Sequence, residues 1–237
     1  MTYSIYPLGD QALTIELESE LHVAQWQKLH QLTQTLENLK PDWLIEYIPS
    51  MPTLTIVYNP LIVQKQYGAK RSPYEIVCEE INILFKQTPP HTMKKVKQID
   101  IPVCYGGQLG PDLLDVAQYT KLTPKEVIQF HSERTYTVYM IGCAPGFPYL
   151  GELNQKLHIP RRTSPRLFVP AGSVGIGGEQ TGVYPLDSPG DWQIIGQTPL
   201  TLFLKNAEPP SLLKSGDQIR FVPISEAEYA TLRNKEG

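Results

Sequence analysis

The chain has 237 residues, 41% of them hydrophobic and 19% charged, with a net charge of −3. That length and composition suit one large or two small packed domains and exclude a disordered chain. The near-neutral charge, with no block of Lys or Arg interleaved with aromatics, argues against a dedicated nucleic-acid binder. The opening MTYSIYPLGDQALTIEL has no basic stretch ahead of an apolar one, so no secretory signal is expected. No run approaches the roughly 18–20 apolar residues of a membrane span. Cys78, Cys104 and Cys143 are odd in number and far apart, which suits reduced thiols in the cytoplasm better than a disulfide framework. No CxxC or HExxH cluster occurs, so no metal site is expected.

The N-terminal part reads strand, strand, helix, strand, strand, helix. Thr2–Leu8 and Ala12–Leu17 flank a Gly9-Asp10 turn. Ser19 can cap a helix running to about Leu39, with Leu21, Leu29, Leu32, Leu36 and Leu39 close to one stripe. Trp43–Ile48 and Thr53–Tyr58 are strands around Pro49-Ser50-Met51-Pro52. Ser72, Pro73 and Glu75 then form a capping-box start, and Ile76, Ile83 and Leu84 give the helix that follows an apolar side. Helices on one face of an antiparallel sheet make an α+β sandwich over residues 1–90. Thr88-Pro89-Pro90-His91-Thr92 reads as a hinge, because two prolines stop a helix, and Met-Lys-Lys-Val-Lys at 93–97 reads as a solvated linker.

Beyond it the chain changes character. Of 17 glycines, only Gly9 and Gly68 precede residue 100. Gln98–Tyr105 is a strand, followed by short helices near Pro111–Tyr119 and Pro124–Arg134, the second with Thr123 and Glu126 as another capping box. Tyr136–Ile141 is a β-branched and aromatic strand. Short strands then alternate with Gly and Pro: Leu167–Val169, Ser173–Ile176, Gly182–Leu186, Trp192–Ile195, Leu200–Leu204 and Gln218–Pro223. Many short strands with frequent turns predict a closed barrel in residues 95–237.

Four features carry candidate chemistry. The run AGSVGIGGEQTG at 171–182 lacks the lysine of a phosphate loop, and Gln180 stands where a dinucleotide loop needs glycine. A nucleophile elbow at Ser173 would need a helix after it, which Gly175, Gly177 and Gly178 disfavour. What remains is a glycine hairpin, or a strand rim that offers backbone N–H groups to a ligand. The loop Gly142–Leu150 is fixed by two glycines and two prolines, and places Phe147 and Tyr149 as an apolar wall or as packing; Cys143 within it reads as a small buried thiol. Pro160–Arg166 brings three guanidinium groups together, a set suited to carboxylate or phosphate, with solvated surface as the alternative. In an extended segment Arg162 and Arg166 share one side and Arg161 points away. His131, near the end of a capped helix, is either a packing residue or a base.

Taken together these motifs resemble the family containing the B-subunit of 5-oxoprolinase, allophanate hydrolase subunit 1 and the sporulation kinase A inhibitor. The matching stretches are Gly142–Leu150, Pro160–Arg166, Val169–Val174, Gln180–Pro185, Ser188–Trp192 and Ile195–Pro199, together with the opening Pro7–Ala12. Two positions depart from the pattern: Cys143 stands where an aromatic is common, and Asp191 where a second glycine is common. The resemblance implies an N-terminal α+β domain followed by a cyclophilin-like β-barrel. It implies an ATP-dependent cyclic amide hydrolase that converts 5-oxo-L-proline to L-glutamate, with this chain working beside a homologous C-subunit and an A-subunit of 5-oxoprolinase. The alternatives it carries are an inhibitor that grips a sporulation sensor histidine kinase, and an allophanate hydrolase subunit.

Opening a resonance-stabilised lactam requires cations for phosphate and for the substrate carboxylate, and a base for water. His131 is the candidate base, and Arg162 and Arg166 the candidate anion ligands. Phe147, Tyr149, Ser173, Gln180, Tyr184 and Trp192 are the other candidate substrate contacts. With no recognisable nucleotide loop in the chain, ATP is expected to bind with or through the partner subunits.

Overall fold

The computed structural model describes residues 3–17, 23–50, 52–87 and 98–236. The expected helix cap at Ser19, Met51, the proline hinge at 88–92 and the basic run at 93–97 lie outside the described residues. The chain mixes helix with sheet and divides into two compact units, Met1–Lys94 and Lys95–Gly237. Among the described residues no helix is long and apolar enough to cross a membrane.

In the first unit, β1 (Tyr3–Pro7) and β2 (Ala12–Leu17) form a hairpin. Its turn is set by Gly9 at φ +67° and by Leu8 N–H donating to Ala12 O at 2.8 Å. Helix α1 (Val23–Leu39), strands β3 (Leu44–Ser50) and β4 (Thr53–Tyr58), and helices α2 (Pro60–Tyr67) and α3 (Pro73–Gln87) follow. The sheet order is β1-β2-β4-β3, antiparallel throughout. Strand alternation puts Leu13, Ile15, Leu54 and Ile56 on one face, against Leu32 and Leu36 of α1 and Val77 and Ile81 of α3. Leu39 and Ile83, expected on apolar faces, are exposed; Ile76 is buried as expected, and Val77, Ile81 and Phe85 complete the buried stripe of α3. The Ser72–Glu75 box forms in both directions, at 2.9 and 3.2 Å. Helix α2 was not foreseen, although its signal is in the sequence. Asn59 accepts from the N–H groups of Leu61 and Ile62, and Pro60 opens the helix.

The second unit holds β5 (Gln98–Tyr105), α4 (Leu113–Thr120), α5 (Pro124–Ser132), β6 (Thr135–Ile141), β7 (Pro148–Leu150), β8 (Arg166–Val169), β9 (Ser173–Gly177), β10 (Gln180–Val183), β11 (Ser188–Gly190), β12 (Gln193–Gln197), β13 (Gln218–Pro223) and α6 (Glu226–Glu236). Seven strands close a barrel in the order β10-β7-β6-β13-β5-β12-β9. Closure depends on a parallel pair, in which β13 runs beside β5 from Gln218 opposite Gln98 to Pro223 opposite Val103. Ile101, Val103, Tyr136, Val138, Val174, Ile176, Ile219 and Phe221 fill the interior. Strands β8 and β11 form a separate two-stranded ribbon. The strand expected at Leu200–Leu204 does not form; one bridge, Phe203 to Ser211, is made in a stretch entered by Pro199 and closed by Pro209 and Pro210. The unforeseen α6 starts at a third capping box, Ser225 with Glu228.

The cap of α2 is open to a direct test. Asn59→Ala removes the acceptor for two N–H groups and should cost about 1 kcal/mol of stability, read as a lower urea midpoint for tryptophan fluorescence. Trp43, whose carbonyl accepts from Asn59 N–H at 2.8 Å, is a reporter beside the cap.

Candidate functional site

Five buried residues form a satellite cluster beside the barrel core: Phe147, Val169, Tyr184, Trp192 and Ile194, with Ala144 and Tyr149 packed against them. The loop between β6 and β7 delivers Phe147. Cys143 and Gly146 take positive φ there, Phe147 N–H donates to Ala144 O, and Gly142 N–H donates to Phe147 O. Phe147 meets Tyr149, Tyr184 and Trp192 edge-on, with ring centroids 5.0, 5.5 and 5.6 Å apart. The positive φ of Cys143 accompanies an exposed thiol, whereas a buried one was expected.

Glycines make room for this cluster. A Cβ on Gly177 would lie 2.7 Å from the Trp192 ring, and one on Gly182 would lie 3.1 Å from it. The indole therefore lies against β9 and β10 where side chains are missing. Much of the run at 171–182 is thus a seat for Trp192, and strands rather than a helix follow Ser173. The run forms neither a nucleophile elbow nor a helix-capped phosphate loop. Ser173 is buried at the start of β9 and Gln180 is half-buried at the start of β10, paired with Gly177.

The three arginines separate. Arg162 and Arg166 both turn to Asp112, a carboxylate with 3% side-chain exposure. Asp112 Oδ1 accepts from Arg166 Nη2 at 2.6 Å and from Arg162 Nη1 at 3.4 Å, and Oδ2 accepts from Ile194 N–H at 2.6 Å. Arg162 Nε and Arg166 Nη1 are buried without a hydrogen-bond partner. Arg161, expected to point into solvent, keeps half of its side chain exposed, and its guanidinium lies 5.5 Å from the Trp192 ring centroid and 3.7 Å from the Asp191 carboxylate.

His131 lies elsewhere, fully enclosed and stacked on Phe221 with centroids 4.4 Å apart. Its Nδ1 is 2.8 Å from the Tyr105 hydroxyl and its Nε2 is 2.8 Å from Thr181 Oγ1. The Thr181 hydroxyl donates to Gly175 O at 3.0 Å, so it accepts from His131 Nε2–H, and Nδ1 accepts from Tyr105. Burial pushes the imidazole pKa down to about 3 and holds the Tyr105 hydroxyl well above its ordinary value. A neutral ring with both nitrogens engaged in the core is placed as a structural residue, not as a base facing water.

Residues 3–213 match the carboxyltransferase domain, subdomain C and D. The chain belongs to this carboxyltransferase-domain family. It is 42% identical to the B-subunit of 5-oxoprolinase from Bacillus subtilis (strain 168), over 96% of this chain and 95% of that protein. It is also 42% identical to the B-subunit of 5-oxoprolinase from Escherichia coli O157:H7, over 93% and 96%. Among solved structures, a conserved uncharacterized protein from Pyrococcus horikoshii is 40% identical, with TM-score 0.56, 95% of this chain and 100% of that one being covered.

In this carboxyltransferase-family chain, sequence reasoning missed Asp112 altogether. Its place just before α4 marks it as a helix cap, yet its side chain makes no capping bond because both oxygens are engaged elsewhere. No group of three or more potential metal ligands occurs among the described residues. Asp112→Asn should cost about 3 kcal/mol, because two partly enclosed guanidinium groups lose their counter-charge; urea unfolding measures it. His131 sets a pH dependence. Its folded pKa of about 3 lies below the unfolded value of 6.5, so the unfolded chain takes up a proton as pH falls and the folded chain does not. This stabilisation is full above pH 6.5 and is lost progressively toward pH 3. Between pH 7 and pH 5, His131→Gln should therefore lose about 2 kcal/mol less stability than the parent chain.

Proposed function

We propose that the chain is the B-subunit of an ATP-dependent 5-oxoprolinase and acts with a homologous C-subunit and an A-subunit to convert 5-oxo-L-proline to L-glutamate. The observation that carries this reading is 42% identity, over 92–96% of the chain, to three proteins named as the B-subunit of 5-oxoprolinase. The substrate is a compact ring with one carboxylate and one amide. Such a molecule needs an aromatic wall for the ring, a cation for the carboxylate and hydrogen-bond partners for the amide. The cluster of Phe147, Tyr149, Tyr184 and Trp192 beside the arginine segment supplies these types of group together, with Ser173 and Gln180 on the adjoining strands.

The residues present do not fit a nucleotide phosphate in the glycine run, because Trp192 lies against Gly175, Gly177 and Gly182 and no helix follows the run. In this reading the partner subunits bind ATP, and this chain's part is to bind and orient substrate. Three free cysteines and a need for ATP support a complex that works in the cytoplasm. Neither kinase inhibition nor allophanate hydrolysis has a separate observation in its favour.

Reconstitution tests the reading. Purified A- and C-subunits, with 5-oxo-L-proline and ATP, should release glutamate only when this chain is added. Full glutamate release without it would overturn the proposal.

A further inference from the structure

Three arginines follow Pro160 within seven residues, and their surroundings differ in kind. Arg162 and Arg166 share the buried Asp112, and two of their nitrogens, Arg162 Nε and Arg166 Nη1, are closed off from solvent without a hydrogen-bond partner. An incoming anion does not reach those atoms. Arg161 keeps half of its side chain exposed, and its contact with Asp191, at 3.7 Å, is longer than a hydrogen bond. The guanidinium carbon lies over the Trp192 ring, 5.5 Å from its centroid.

Other polar groups gather near it. Tyr149 and Ala144 pack against the aromatic cluster, and the thiol of Cys143 beside Ala144 is exposed. Burial raises the Tyr149 and Tyr184 hydroxyls above their ordinary value. A half-exposed cation, the half-buried Tyr149 and an exposed thiol thus adjoin the aromatic cluster.

We propose that Arg161, and not Arg162 or Arg166, binds the carboxylate of a small cyclic carboxylate ligand on the outer side of Trp192. The assignment rests on the 5-oxoprolinase reading above. The ligand carboxylate takes the Arg161 fork in place of the long contact to Asp191. The ring lies beside Tyr149, the half-buried aromatic at the margin of the cluster.

The test uses the reconstituted complex with Arg161→Ala, Arg161→Gln and Arg161→Lys. Each is assayed for KM with 5-oxo-L-proline and with ATP, and for inhibition by 2-pyrrolidinone, the same lactam without its carboxylate. Loss of one charge-assisted fork should raise KM for 5-oxo-L-proline roughly ten- to a hundredfold. KM for ATP should stay unchanged, and lysine should restore binding only in part. The inhibition constant of 2-pyrrolidinone should not move, because that molecule has no group for Arg161 to hold. An unchanged KM for 5-oxo-L-proline in all three variants would overturn the assignment, as would a rise shared equally by 2-pyrrolidinone, which marks a packing role. Either result leaves the 5-oxoprolinase reading standing, provided the parent chain is needed for glutamate release. If the complex works fully without the chain, that reading fails and this assignment falls with it.

Discussion

The carboxylate of Asp112 joins three parts of the second unit that are far apart in sequence. Its backbone N–H donates to Ile194 O at 2.9 Å while its own Oδ2 accepts from Ile194 N–H, so the residue before α4 is fixed to β12 from both sides. Through Oδ1 it also holds the segment that ends at Arg166. Two residues before Ile194 stands Trp192, and Asp191 O accepts from Arg162 N–H at 2.7 Å. The indole is therefore bracketed, on one side by the arginine segment and on the other by the Asp112 anchor. Burying a carboxylate is unfavourable unless its lone pairs are satisfied, and here a backbone N–H and two guanidinium groups do so. Its surroundings need to stay in place for that to hold, and this fixes the position of the candidate site.

The glycines around Trp192 follow from that constraint. With the indole held against β9 and β10, any Cβ at Gly177 would overlap it, so the bare backbone is a requirement of packing. In the sequence the run invites phosphate, dinucleotide and nucleophile readings, because glycine signals close approach without saying what approaches. The partner is a side chain further along, beyond the next turn and strand. The presence and order of most strands were legible, as were the capping boxes at Ser72 and Thr123, since alternation and caps are local properties. The parallel pairing of β13 with β5 joins residues about 120 positions apart, and no local pattern specifies it. For α2 and α6 the failure was different in kind. Asn59-Pro60 and Ser225 with Glu228 are readable start signals, but weak amphipathic patterning after them gave no helix to start.

The arginine segment shows how far a local inference reaches. Arg162 and Arg166 do share a side, as an extended chain requires, although only Arg166 lies in a strand. What they share is an internal carboxylate. Three cations close together raise the expectation of an external anion because the counter-charge is sought nearby in sequence. Asp112 is 50 and 54 residues away. The same reasoning set Arg161 aside as solvated; half of its side chain is exposed, and its guanidinium also lies over an indole.

The barrel itself leaves little choice about where a ligand can sit. Tyr136 and Phe221 occupy its interior with the branched aliphatic residues, and His131 completes a closed chain of hydrogen bonds from Tyr105 to Gly175. Every member of that chain is satisfied, and a satisfied buried network resists the addition of a charge. Moving a proton onto His131 would place a cation among aromatic rings with no carboxylate bonded to it, which is why its pKa falls so far. Acid–base chemistry inside the barrel is thereby disfavoured. In the proposed site the half-exposed Arg161 beside Trp192 is the cation that would hold a small carboxylate. Under the proposed function such a chain would act through position alone, since holding a substrate in register with a partner's reactive groups removes translational and rotational freedom before the chemical step begins.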